Sequence, residues 1–370
     1  MTDPSTRSAG RVESAPDRLA WVDIAKSIAI VLVVLYHVGT NGMAWLMPQV
    51  EASGIAVWQA VNDTLVPLRM PLFFVVSGLL ATGAMTRPWP QLLRPRIAAL
   101  LWPFAIWTLL FAAPYALYRG DVTVVDSLAR AAWSIPLGGT GYWYLFVFVI
   151  FFVVSRALYR FGPVLLLVAV VLYAAAPAIG LAVASVIPSP VGDVVTDTMM
   201  RLCTFFLWYA IGCFAPGIVA RVAESDAWML ALATAAYAAL TALQLTGAGP
   251  SGARSLALSI TGIAVALIGS RLLGQWEPVR RLGRYLAART LAIYVVHPFA
   301  LAIVIWVTLR FSDGTGVPLV LGAEWWLTPV LTIALVALSC LAYDVAMRSP
   351  LRYVFVPPSY SDAKATIRRL

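Results

Sequence analysis

Apolar runs long enough to cross a bilayer recur along this chain, and they constrain its fold more than any other feature. A helix spanning the hydrocarbon core needs about 20 mostly apolar residues. Ten such runs are read, at residues 20–39, 64–84, 97–118, 142–160, 163–185, 198–219, 227–247, 254–274, 287–309 and 326–347. Charge is too scarce to build a soluble surface around them. Asp, Glu, Lys and Arg make up 12% of the 370 residues, against about 25% in soluble domains. The expected fold is all-α, a polytopic membrane protein of about ten transmembrane helices in the cell (inner) membrane.

Charge placement tests that count. With the N-terminus inside, the cytoplasmic segments hold 19 Lys and Arg and the outer loops hold 4. Such a split is what the positive-inside rule demands, and it puts both termini in the cytoplasm. Runs four and five are separated only by "RFGP", where Gly162 and Pro163 are expected to stop one helix and start the next. The domain reading is a polar tail at 1–18, a transmembrane domain at 19–350 and a cytoplasmic tail at 351–370. The net charge of +9 is accounted for by topology, so no nucleic-acid partner is implied; the partner is the lipid bilayer. Cys203, Cys213 and Cys340 fall inside apolar runs without metal-ligand spacing. They read as small apolar fillers, with no disulfide framework and no metal site.

The first run, "DIAKSIAIVLVVLYHVG", places Lys26 and His37 in hydrocarbon. Each such group costs about 2.5–3.5 kcal/mol on insertion scales. Eleven helical steps return to within about 20° of the start and rise roughly 16 Å. The two side chains therefore share a face but cannot touch. A pantetheine arm fits that face, with a phosphate cluster held by the cation at the cytoplasmic mouth. Its thioester would then lie where a neutral imidazole can act as general base. The alternative at this level is that Lys26 snorkels beside Asp23 and His37 hydrogen-bonds within the bundle.

A basic residue, ten others and then His in the first span resembles the signature of the membrane acyltransferase 3 family. The likeness is to its sugar O-acetyltransferases, including the fucose 4-O-acetylase-like branch. "RMPLFFVVSG" (69–78), "RPRIAALLWPF" (94–104), "YWYL" (142–145) and "RTLAIYVVHP" (289–298) resemble further elements of that family, in order. The resemblance covers roughly residues 18–350. It implies transfer of an acyl group, usually acetyl, from acyl-CoA to a carbohydrate hydroxyl. The donor, acetyl-CoA or another acyl-CoA, is then a co-substrate and no cofactor is permanently bound. The acceptor, a carbohydrate or glycosylated molecule, is expected at the outer face.

Residue roles follow with their alternatives. His37 is the expected base. Arg69, read at the level of His37, either polarises the thioester carbonyl and binds the acceptor or snorkels outward. Asp63 either orients His37 or, with Asn62 and Thr64, caps the second helix. Lys26, Arg94 and Arg96 are expected at the donor phosphates. Ser77 with Gly78 either makes room for pantetheine or permits close helix packing. Trp143 and Tyr144, read at the outer interface, either form an aromatic belt or face the acceptor as a sugar-stacking platform. Glu324, before helix ten, is an outer-face carboxylate that either faces the acceptor or caps its helix. His297 is placed about 15 Å deeper than His37, as a structural or channel-lining residue. A secondary transporter is the alternative function, since polar residues within spans also mark substrate paths. The paired broken helices common in transporters are not seen in the sequence.

Overall fold

The computed structural model describes residues 20–47, 53–246, 251–312, 316 and 322–358. Thirteen helices organise them: α1 Ala20–His37, α2 Ser53–Ala81, α3 Ala99–Arg119, α4 Val124–Ser134, α5 Trp143–Ala157, α6 Gly162–Val186 and α7 Val191–Phe214. Then follow α8 Pro216–Ala223, α9 Ala227–Leu245, α10 Ser251–Leu273, α11 Glu277–Ala288, α12 Thr290–Phe311 and α13 Ala323–Ala346. Among the described residues, nine helical segments are long and apolar enough to span a membrane.

The tenth expected span, α5, has 15 residues, about 22 Å of rise. It falls short of the hydrocarbon thickness because its environment is protein. Tyr144, Leu145, Val147, Phe148, Phe151 and Phe152 are all buried, and Phe74 of α2 packs against the rings of Tyr144, Phe151 and Phe205. A span sheltered by neighbours need not match the lipid. Gly162 starts α6 after a short turn at Tyr159–Phe161, as "RFGP" implied.

The two longest outer loops read from sequence are largely helical. α2 begins at Ser53, so Asn62, Asp63 and Thr64 stand inside a 29-residue helix. The expected helix cap there is incorrect, because the upstream stretch "SGIAVWQAV" continues the helix. The second loop carries α4, whose Thr123 caps it by accepting from Asp126 N. On the opposite side, α11 is an amphipathic helix laid against α1. Ser27 Oγ donates to Gly283 O at 2.9 Å.

α1 is enclosed by α2, α10, α11, α12 and α13, so its polar side chains meet protein rather than lipid. α2 is pinned to α7 by two glycines. A Cβ on Gly78 would stand 2.1 Å from Tyr209 O, and one on Gly212 would stand 2.0 Å from Val75 O. Small residues here let two backbones touch. Beyond α13, Trp102 and Trp107 of α3 donate to Tyr353 O and Val354 O at 2.7 and 3.0 Å. Residues 1–18 and 359–370 of the expected tails lie outside the described residues.

Candidate active site

Lys26 does not snorkel to the surface. Its ammonium turns inward and donates to Ala287 O at 3.0 Å, at the end of α11. This contact corrects the depth assigned to His297. Counting from residue 287 as a membrane edge buried His297 too far from His37. Because α11 lies alongside α1, Ala287 is already level with Lys26. Ten residues then lead to His297 and eleven lead to His37, so the two imidazoles arrive at one height.

They meet. His297 Nε2 and His37 Nδ1 are 3.3 Å apart, with ring centroids at 5.0 Å. Each Nδ1 also faces the carbonyl one turn back on its own helix, Val33 O at 2.8 Å and Ile293 O at 2.6 Å. A carbonyl only accepts, so both Nδ1 atoms carry hydrogen; the tautomer is assigned from this network. His297 Nε2 is then the bare nitrogen of a neutral ring. It shares the His37 Nδ1 proton with Val33 O. His37 Nε2 is left with a free lone pair, the form a general base requires. His297 is fully buried, so the pair has a fixed geometry.

Arg69 joins this cluster from α2. It is 5% exposed, and its guanidinium carbon lies 4.0 Å over the Tyr36 ring, which meets the His37 ring edge-on. Its Nη1 has no hydrogen-bond partner among the described residues. Directly after His37 the helix becomes a π-turn, Val38–Gly42, a distortion frequent at functional sites. Gly39 lies against Asn62 and Thr328, both fully buried.

At the Lys26 end of α1 a cavity of about 700 Å³, mouth included, is lined by Lys26, Ser77, Arg96, Tyr144, Thr290 and Tyr294 among others. Ser77 Oγ and Tyr144 Oη are hydrogen-bonded at 2.6 Å. Tyr294 connects the two ends: it walls the cavity, and its ring centroid is 6.4 Å from that of His297.

The remaining expected residues separate. Ser77 faces the cavity, while its neighbour Gly78 packs closely on α7, as the helix-packing reading expected. Arg96 reaches the cavity; Arg94 is exposed, its Nη2 3.5 Å from Pro357 O. Asp63 is exposed on α2 and makes no hydrogen bond to His37, whose Nδ1 faces Val33 O and His297. Tyr144 does not stand at the outer interface. The start of α5 is sunk in the bundle, and Tyr144 shares the inner cavity with Lys26. Trp143 stacks on Phe205 at 5.5 Å beneath the Arg201 guanidinium. Glu324 opens α13 against Gly54 of α2. His297, read from the sequence as structural or channel-lining, is brought to His37, and Tyr294 walls the cavity beside it. The signal that would have found His297 was its count from the amphipathic α11 rather than from the apolar edge.

A family profile described as an acyltransferase domain, acyltransferase 3, matches residues 19–344. The Escherichia coli (strain K12) inner membrane protein YcfT is 26% identical over 156 residues, 38% of this chain. The chain spans less than half of that protein's length, 44%. No solved structure matches.

Proposed function

The chain belongs to the acyltransferase 3 family of membrane-bound acyltransferases, and from that premise we propose transfer of an acetyl or other short acyl group from acyl-CoA to a hydroxyl of a carbohydrate or glycosylated acceptor. Lys26 and Arg96 hold the donor's phosphates at the cytoplasmic mouth. The pantetheine arm lies in the cavity past Ser77 and Tyr144, and its thioester reaches Tyr294 and the histidine pair. His37 Nε2 takes the proton of the acceptor hydroxyl as that oxygen attacks the thioester carbonyl. The C–S bond breaks, an ester forms, and the thiolate leaves to recover the proton as free CoA. His37 becomes an imidazolium during attack, and its Nδ1–H is met by Val33 O and His297 Nε2. Arg69, beside Tyr36, supplies positive charge on the side where oxyanion charge develops. His297 is a positioning residue here: it acts through His37.

The observation that supports this reading is that Lys26 and Tyr294 line one cavity, while the Tyr294 ring stands 6.4 Å from that of His297, which pairs with a histidine whose assigned tautomer leaves Nε2 free. The test is CoA release by the purified protein with acetyl-CoA and an acceptor. His37→Ala is expected to lower turnover at least 10²- to 10⁴-fold, the range for a general base, with size-exclusion behaviour and acetyl-CoA affinity unchanged. Normal turnover in that variant would remove His37 from the chemistry.

A further inference from the structure

A second cavity lies on the other face of the molecule. It has a volume of about 670 Å³, mouth included, and is bounded by α3, α4 and the segment leading into α5. α3 runs outward from the Arg94–Arg96 end, so its later residues and α4 are on the outer side.

α4 shows what kind of space this is. Its apolar stripe, Val125, Leu128, Ala129 and Ala132, points away from the protein; Val125 is 74% exposed. Its other stripe, Ser127, Arg130, Ala131 and Ser134, borders the cavity. A helix on a soluble core buries its apolar stripe. This one does the reverse, as interfacial helices do when their apolar face sits among lipid headgroups. The hydroxyls of Ser127 and Ser134 are thereby turned under a roof, 7% and 4% exposed as residues.

The floor is aromatic. Phe111 and Tyr142 meet edge-on at 6.0 Å, and Tyr115 lies beside Phe111 at 5.8 Å. Serine hydroxyls and aromatic rings in one lining, with one guanidinium at the rim and no carboxylate, suit a neutral or anionic ring that is polar at its edges and apolar on its faces. Ser134 Oγ donates to Ala131 O at 3.0 Å and is left to accept. The floor also touches the catalytic helix. Tyr142 Oη donates to Val295 O at 3.0 Å, two residues before His297.

We propose that this outer cavity is the acceptor subsite, and that it takes a glycosyl unit packed among Phe111, Tyr115 and Tyr142 with its hydroxyls bonded to Ser127 and Ser134. This rests on the acyl-transfer reading above and adds where the acceptor sits and what recognises it.

The probes are radiolabelled acetyl-CoA and octyl β-glycosides of glucose, galactose, mannose, fucose and rhamnose, offered to the full chain in nanodiscs. Ala131→Phe fills the cavity and Tyr115→Ala strips its floor. Both are expected to raise the KM of an accepted glycoside at least tenfold while the acetyl-CoA KM stays within twofold. An unchanged glycoside KM in either folded variant overturns the subsite. If the wild type binds acetyl-CoA yet acetylates none of the glycosides, the glycosyl assignment falls while acyl transfer stands. If the wild type does not bind acetyl-CoA, the acyl-CoA premise falls and takes the subsite with it.

Discussion

The two ends of the α1 face are built differently. At the Lys26 end the polar groups have found partners: Lys26 with Ala287 O, Ser77 with Tyr144, and Thr290 with Ala287 O. At the His37 end several have not. Asn62 Nδ2 and Oδ1, Arg69 Nη1 and Thr328 Oγ1 are buried without protein hydrogen-bond partners among the described residues. Buried polar groups are normally bonded, and each exception costs about 1–3 kcal/mol. The Lys26 end, proposed above to hold the donor, thus has its polar groups bonded, whereas the His37 end, proposed for the chemistry, keeps buried polar atoms without protein partners. Binding and chemistry are expected to respond to mutation separately.

The largest effect expected within that contrast is at His297. His297→Ala removes the group that shares the His37 Nδ1 proton and is expected to lower kcat about 10²-fold, within the range of base catalysis. The acyl-CoA KM should stay within twofold. His297→Asn is expected to recover part of kcat through a side-chain acceptor, a rescue that simple cavity filling would not give. A matching loss of donor affinity would break the contrast between the ends.

Next comes Lys26→Ala, expected to weaken acyl-CoA binding about tenfold, as for loss of one charge-assisted hydrogen bond. Isothermal titration would read it, and Lys26→Arg should restore most of the affinity. Single-turnover acyl transfer at saturating donor should hardly change. If it collapses instead, Lys26 belongs with the chemistry.

Gly78→Ala probes the scaffold that both ends share. Its Cβ would fall 2.1 Å from a backbone oxygen of α7, and overpacking of this kind costs about 1–3 kcal/mol. A lower melting temperature is expected, with both kcat and KM disturbed because α2 carries Arg69 as well as Ser77.

The smallest effect is expected at α11, whose Glu277 is bonded by Arg281 at 2.7 Å and Arg280 at 2.8 Å. Those partners lower the Glu277 pKa to about 2. Its contribution is full above the ordinary glutamate range and is lost progressively as the pH falls from that range towards about 2. The thermal stabilities of wild type and Glu277→Gln should therefore differ by a constant offset from about pH 7 to about pH 6, and the offset should shrink as the pH falls below about 5. An offset that stays constant down to about pH 3 would show the carboxylate titrating in its ordinary range.

Much of this architecture was legible in the sequence, because hydrophobic run length and Arg placement report directly on the bilayer. Lys26 and His37 were legible for the same reason: an ionisable group in an apolar run is costly and so conspicuous. His297 stood out equally, but its height did not. Sequence gives positions along a helix, while the offset between helices is set by packing, here of α11 on α1. Tyr144 was misplaced for a related reason. "GYWYL" reads as an interfacial belt, yet α5 starts inside the protein. Asp63 misled because Asn-Asp-Thr favours caps, and here a helix simply continues through it. The outer cavity was invisible because the direction in which α4 turns its stripes depends on what lies beneath it.

One consequence concerns electrical insulation. Tyr294 bounds the inner cavity, Tyr142 bounds the outer one, and their rings meet edge to face at 6.1 Å. A membrane at 100 mV exerts about 2.3 kcal/mol on each elementary charge that crosses it. In the acyl-transfer reading proposed above the two recesses face opposite compartments, and an open path between them would short-circuit that voltage. The paired rings of Tyr142 and Tyr294 stand where the two cavity walls meet and narrow any such path.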